Sequence, residues 1–471
     1  MIDIDVLQLD LHEQISLVKS KQLSAEELML QQQALIDVVN PKVNAFISVN
    51  EQNTHALNMH SLSNKTLNSA SPSENIFAGV SIAIKDNIDV LGFNSTAGLE
   101  TRRNVTAKSD AFVVDRLRQA GATFSGKLNM HEGALGASNQ NLHYGNCYNP
   151  HQLSLSPGGS SGGSGAAVAS CMTALALGTD TMGSVRIPAS YCGVFGFKPS
   201  RGALSNHGTV ICSRVMDTIG PLARSARDLT KAFNIMAGYH MEDAQSQSIN
   251  FIKTLPNKPV ILVPENLESL GVEADVIEDF NKNIAIFTSL GCQLKPFSFN
   301  DSGFGKYDFG EARRAGLIIC EAEMRVEHEQ DWQTHLNQFS PYLQQLLSYI
   351  DKKSPMDVIK SERVLDQAVV KLRQLLAQGD FMLMPTTPQR AFSFTDSAPA
   401  NQADLTSLVN QAGAAAVSMP MLTDNALPIG LQLIGAHGSD LQLLALAEKW
   451  QHMTEFKYKM PQAIVNLVEQ S

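Results

Sequence analysis

Gly79-Val80-Ser81-Ile82-Ala83-Ile84-Lys85-Asp86-Asn87 is a short apolar, β-rich run that ends abruptly on a lysine, a carboxylate and an amide. Bounded in that way, it reads as a buried strand with polar groups at its exit. Asp110 to Gly121 then alternates as an amphipathic helix ending on glycine, and Ala122-Thr123-Phe124-Ser125-Gly126-Lys127 reads as the next strand. Strand, helix and strand in that order form a βαβ unit and predict a parallel pair. Farther out, Pro259 to Val263 and Phe381 to Met384 read as strands, and Asp275 to Leu290 and Ser361 to Leu376 as helices. Upstream, Ser24 and Glu27 have capping-box spacing before the stripe Leu28, Leu35, Val38 and Val39, which Asn40-Pro41 is expected to stop. The Ser- and Asn-rich run Ser61 to Asn75 reads as a surface loop. The fold class is α/β, with a helix-rich stretch from about Phe309 to Leu376 forming a cap.

Composition narrows the function. Of 471 residues, 44% are apolar and only 17% charged, so much of the chain can be buried. A formal charge of −10 offers no bulk attraction to nucleic acid or to an anionic membrane. The N-terminus MIDIDVLQLDLHEQ lacks the basic start and apolar core of a signal peptide, and Gly165 to Gly178 is too short and too interrupted to span a bilayer. The six cysteines form no C-x-x-C pair, so no disulfide framework or thiolate zinc site is indicated, and reduced thiols in a cytoplasm are expected. No metal-ligand spacing is present, and no cofactor is called for.

The densest unusual segment is Ser156-Pro157-Gly158-Gly159-Ser160-Ser161-Gly162-Gly163-Ser164-Gly165, followed by the helix-compatible Ala166-Ala167-Val168-Ala169. Three readings compete. A phosphate cradle lacks the Lys-Ser/Thr of a P-loop and the spacing of G-x-G-x-x-G. A nucleophile elbow is matched by Gly158-Gly159-Ser160-Ser161-Gly162, but an elbow follows a strand and Asn149 to Ser154 reads as loop. A flexible linker is disfavoured by the apolar residues that follow. A second cluster, Gly178-Thr179-Asp180-Thr181-Met182-Gly183-Ser184-Val185-Arg186-Ile187-Pro188, reads as a turn after a helix, where successive amides around Gly183 could converge on an anion beside the Ser184 hydroxyl.

These segments, with Asn40-Pro41-Lys42-Val43-Asn44-Ala45-Phe46, Ile84-Lys85-Asp86-Asn87-Ile88, Gly193-Val194-Phe195-Gly196-Phe197-Lys198-Pro199, Pro385-Thr386-Thr387-Pro388 and Leu427 to Gly435, appear in the order of one known family. The chain resembles the amidase signature enzymes, which cut carboxamide C–N bonds with a Ser-cis-Ser-Lys triad. The resemblance covers nearly the whole chain. It implies a single domain over residues 1–471, a central mixed sheet flanked by helices on both faces. The motif core would span about 78–235 and 380–450, and a helix-rich region of about 300–380 would line the substrate pocket.

By the same resemblance Lys85 is the base, Ser160 the bridging serine after a cis peptide, and Ser184 the nucleophile; they stand 75 and 24 residues apart, as the family's layout requires. A lysine at its reference pKa of about 10.4 is useless as a base, and burial at a strand end would lower it toward neutrality. The backbone amides of Thr181, Met182, Gly183 and Ser184 would form the oxyanion hole, and Ser161, Asp180 and Arg186 would orient the loop. One departure is Met182, where the family usually has a second glycine; its side chain is expected to narrow or reshape the acyl pocket. His131, His143, His207 and Cys192 read as structural or solvent-facing.

The implied function is a cofactor-free amide hydrolase acting through a Ser acyl-enzyme on a small-molecule amide, alone or as a homodimer, with no nucleic-acid or membrane partner. The alternative inside the family is the glutaminase (A) subunit of a tRNA-dependent amidotransferase, which needs a partner subunit. An alternative of another class is a phosphate- or nucleotide-binding protein using the Gly-rich loop.

Overall fold

The βαβ unit expected from residues 79–127 is present: strand β2 (Ser81–Lys85), the helix Phe112–Gln119 and strand β3 (Thr123–Leu128), with β2 and β3 parallel. The computed structural model describes residues 2–50, 75–77, 80–299 and 307–471. The loop expected from Ser61 therefore lies outside the described residues up to position 74, as do Gly79 at the start of the β2 run and the beginning of the 300–380 region.

Around that unit lies a sheet of eleven strands among the described residues. The others are β1 (Phe46–Val49), β4 (Leu175–Asp180), β5 (Phe195–Lys198), β6 (Thr218–Ala223), β7 (Val260–Pro264), β8 (Gln293–Phe297), β9 (Phe381–Pro385), β10 (Ala415–Pro420) and β11 (Gly430–Gly435). Their spatial order is β1-β3-β2-β4-β6-β5-β10-β11-β9-β7-β8. Two parallel blocks, β3-β2-β4 and β9-β7-β8, flank an antiparallel centre. The sheet is mixed. Every residue of β2, β4, β5, β6, β9, β10 and β11 is buried, so both faces are covered, and β10 carries the helix Arg186–Cys192 as well as the helix Asp440–Met453.

The later elements fall within a few residues of expectation: Val260–Pro264, Phe381–Pro385 and Ala274–Ser289. The last predicted helix is longer, Pro355–Leu376, because Ser354 caps it in a box with Asp357 and Pro355 sits in its first turn. Two expectations need correction. The capping box of Ser24 and Glu27 is formed, but the helix runs from Ala25 through Pro41 to Val43 and ends on Asn44 in a left-handed conformation. Close to the C-terminus Pro41 costs a single helical hydrogen bond, and Asn44 tolerates the positive φ that closes the helix. Gly178 to Asp180 is not the end of a helix but the last part of β4. The helix Gly162–Ala169 comes earlier and packs against β2 and β4, so the Ser184 turn leaves a strand.

The helix-rich lobe comprises Phe309–Glu327, Glu329–Thr334, Pro341–Tyr349 and Pro355–Leu376. It encloses a second apolar cluster, with Met130, Met216, Ile319, Cys320, Met324 and Leu343 among its members, separate from the core of the sheet.

Candidate active site

Lys85 is the last residue of β2, and the strand's buried position strips its ammonium of water. Burial lowers its pKa to about 7, against the opposing pull of Asp217. Its Nζ donates to Ser160 Oγ at 2.7 Å and to Thr179 Oγ1 at 2.7 Å. No carboxylate lies within ion-pair distance of Lys85 among the described residues. The neighbouring Asp86 pairs instead with Lys127 at 3.6 Å and accepts from Thr96. The hydrogen-bond partners of Lys85 are thus two hydroxyls.

Ser160 follows a cis peptide bond after Gly159. The whole segment Ser156 to Gly165 is buried, which removes the flexible linker. Its glycines serve close packing: a Cβ on Gly163 would collide with the Asn129 carbonyl oxygen. Ser161 ties this loop to β4, its Oγ donating to the Thr179 carbonyl at 3.0 Å and its amide to the Ser184 carbonyl at 3.2 Å. That backbone contact joins the Ser184 turn to the residue after Ser160, and no hydroxyl–hydroxyl bond links Ser160 and Ser184 among the described residues. Lys85 and Ser160 are 0% exposed and Ser184 is 8% exposed, so of the three it is Ser184 that reaches solvent.

The turn carrying Ser184 is held by a buried ion pair. Burial alone would raise the pKa of Asp180, but Arg186 reverses this and holds it at about 2. Arg186 Nε and Nη2 donate to the two Asp180 carboxylate oxygens at 3.0 Å each. Asp180 also accepts from the amides of Gly183 at 2.7 Å and Val185 at 3.2 Å. This corrects one expectation: the Gly183 N–H belongs to Asp180 and is not aimed at an oxyanion. Thr181, Met182 and Ser184 keep amides without a protein acceptor among the described residues.

Several residues of the site carry no signal of their own in the sequence. The Thr179 hydroxyl lies within the Gly178 to Pro188 run, yet it gains meaning only when Lys85 reaches it. Asp217 accepts from Thr181 Oγ1 at 2.7 Å and its pKa is raised to about 6 by burial. Thr406 Oγ1 donates to the Met182 carbonyl at 2.6 Å, and Asn410 Nδ2 to the Asp180 carbonyl oxygen at 2.8 Å. Gln432 accepts from Arg186 Nη1 at 3.1 Å. These partners lie 36 to 246 residues away in the chain, beyond any local pattern.

Met182 turns toward the helix-rich lobe: its Sδ would lie 2.8 Å from a Cβ on Gly316, and it packs against the second apolar cluster. His131 is buried, with its pKa lowered to about 4 chiefly by burial, and its amide donates to the Ser160 carbonyl at 3.0 Å. His143 sits 3.2 Å from Glu132, and His207 is exposed. The Cys192 thiol is buried with its pKa raised, an inert environment. No group of three or more metal-ligating side chains occurs among the described residues.

The sequence profile of the amidase family matches residues 27–444. The chain belongs to the amidase signature family. Among similar proteins of this family is the glutamyl-tRNA(Gln) amidotransferase A subunit of Nitrosococcus oceani, 32% identical over 96% of this chain and 98% of the relative. The protein of the same name from Carboxydothermus hydrogenoformans is 31% identical over 94% of this chain and 97% of its own length. The crystal structure of the corresponding A subunit from Thermotoga maritima superposes with a TM-score of 0.81 at 28% identity, covering 98% of this chain and 99% of that one.

This amidase signature enzyme is therefore similar to proteins that are, by name, single components of a glutamyl-tRNA(Gln) amidotransferase. That overturns the expectation of a lone or homodimeric enzyme whose only partner is a small amide. The reason is physical: a net charge averages over the whole surface and says nothing about one local face that docks another protein. No helix among the described residues is long and apolar enough to cross a membrane.

Proposed function

We propose that this amidase family chain cleaves a carboxamide C–N bond through an acyl-Ser184 and releases ammonia, as the glutaminase-type subunit of an amidotransferase assembly with glutamine as amide donor. The observation that carries the chemistry is the 2.7 Å contact between Lys85 Nζ and Ser160 Oγ, at a lysine whose pKa burial brings to about 7. Neutral Lys85 accepts the Ser160 proton, Ser160 accepts that of Ser184, and Ser184 Oγ attacks the amide carbonyl. The amides of Thr181, Met182 and Ser184 take the developing oxyanion, while the Asp180–Arg186 pair holds the turn. Ser160 returns the proton to the leaving nitrogen, the C–N bond breaks, and water then hydrolyses the ester to a carboxylate.

The subunit role is supported by the names of the relatives matched over nearly the full chain. The six cysteines are free and buried, which fits a reducing compartment such as the cytoplasm. The test is ammonia release from glutamine by the chain alone and by the chain co-purified with the subunits it carries in its host, each with a Ser184→Ala control. Release that needs the assembly and disappears with Ser184 is expected. Equal kcat/KM from the isolated chain would remove the subunit role. If hydroxylamine traps no acyl group from glutamine in either preparation, glutamine is not the donor.

A further inference from the structure

A cleft of about 620 Å³ opens between the strand edge following β5, the C-terminal half of the helix Pro355–Leu376 and the turn after β11. Arg201, Gln247, Arg373 and His437 provide its polar lining, Leu372 and Leu376 part of its apolar wall, and none of its lining residues is acidic. The Arg201 guanidinium rests on Gly413 and spends Nη2 on the carbonyls of Asn410 at 2.7 Å and Gln411 at 3.0 Å. Its Nε is shielded from solvent and has no acceptor. Neither Arg201 nor Arg373 has a carboxylate within ion-pair distance among the described residues. A chain with ten more acidic than basic residues here gathers two guanidiniums without a counter-charge, beside His437, whose Nε2 lies 2.9 Å from the Arg201 carbonyl oxygen.

An unpaired buried cationic donor is costly, and the guanidinium fork matches a carboxylate in two-point fashion. The apolar wall favours a carboxylate on a hydrocarbon body, and the volume suits a small molecule. The carbonyls held by Arg201 end the helix Asp404–Gln411, whose Thr406 and Asn410 hold the Met182 carbonyl and Asp180. We propose that this cleft is an effector site for a small carboxylate with an apolar body, whose binding draws Arg201 off the helix end and lowers turnover. The turnover half rests on the Ser184 reading; the binding half does not.

Calorimetric titration of the full chain with hexanoate tests it, with inorganic phosphate as the charge-only probe. A saturable single site for hexanoate, tighter than for phosphate, is expected. Arg373→Ala, on an exposed helix face and safe for folding, and Arg201→Gln should each weaken hexanoate about tenfold or more, the loss of one charge-assisted contact. Hexanoate should lower kcat without raising KM, and the concentration needed should shift by the same factor in Arg373→Ala. Lack of saturation, phosphate binding more tightly, or unchanged affinity in both variants would overturn the site. Saturable binding with unaltered kcat, or a rise in KM alone, would overturn the link to turnover. If no amide is turned over at all, the titration still decides the site.

Discussion

On one side of the Asp180–Ser184 turn the molecule buries charge; on the other it buries thioethers. Beneath the turn, Asp180 and Arg186 form a fully buried ion pair whose remaining valences go to Gly183, Thr406, Asn410 and Gln432. Beyond Met182, the helix-rich lobe packs Met130, Met216 and Met324 with Cys212 and Cys320. A buried ion pair has one acceptable geometry, because any loose donor or acceptor there is left unpaired. Thioethers are unbranched and polarizable and fill whatever shape remains. The same degree of burial therefore yields a rigid floor and an adaptable wall.

The largest effect expected on that comparison comes from Ser184, the proposed nucleophile at the border. Ser184→Ala should cost on the order of 10⁴-fold or more in kcat with little change in stability, and a fluorophosphonate should label the wild-type peptide carrying Ser184. Labelling of Ser160, with Ser184→Ala still active, would move the chemistry into the Gly-rich loop. Next, Lys85→Arg should lose roughly 10²- to 10⁴-fold, since guanidinium keeps its proton. In the wild type, Lys85 is protonated below its lowered pKa, so kcat/KM should fall as pH drops through about 7. A flat profile from pH 6 to 8, or near-normal turnover in Lys85→Arg with an intact circular dichroism spectrum, would leave Lys85 a structural cation.

The rigid side is tested by Asp180→Asn, which strands Arg186 without its counter-charge. Urea unfolding should register a loss of about 3–5 kcal/mol. A change below about 1 kcal/mol would mean the floor tolerates rearrangement and the contrast fails. The adaptable side should respond least. Gly316→Ala places a methyl 2.8 Å from Met182 Sδ and should cost about 1 kcal/mol, the thioether giving way, with Met182→Ala restoring it in a double-mutant cycle. Additive losses would show that the two side chains do not share that space. Met182→Gly should also raise kcat/KM for bulky acyl groups relative to small ones; an unchanged ratio across an acyl-length series would place the side chain wholly within the lobe.

How much is legible in the chain follows from the range of the forces involved. The βαβ unit, the capping box at Ser24 and the helical lobe depend on contacts within a few residues, and periodicity and punctuation reveal those; the box of Ser354 with Asp357 is just as local, yet it goes unread because the apolar stripe is expected to begin only at Ser361. Asn40-Pro41 is a weaker stop than its residue types suggest, since a proline near the C-terminus of a helix costs little. The order of the glycine-rich motifs points to the family because these segments need small residues for close approach, and that requirement is written locally.

Taken alone, the sequence determined the kinds of element, the run of motifs and the presence of a lysine at a strand end beside serine-rich turns. Only the tertiary structure decided that Thr179 shares Lys85, that Asp86 belongs to Lys127, that the Gly183 amide is spent on Asp180, and that Met182 fits against Gly316. Each of those pairings takes its meaning from packing, because desolvation of a charge or a shared contact surface comes into being only once the strands and helices have come together.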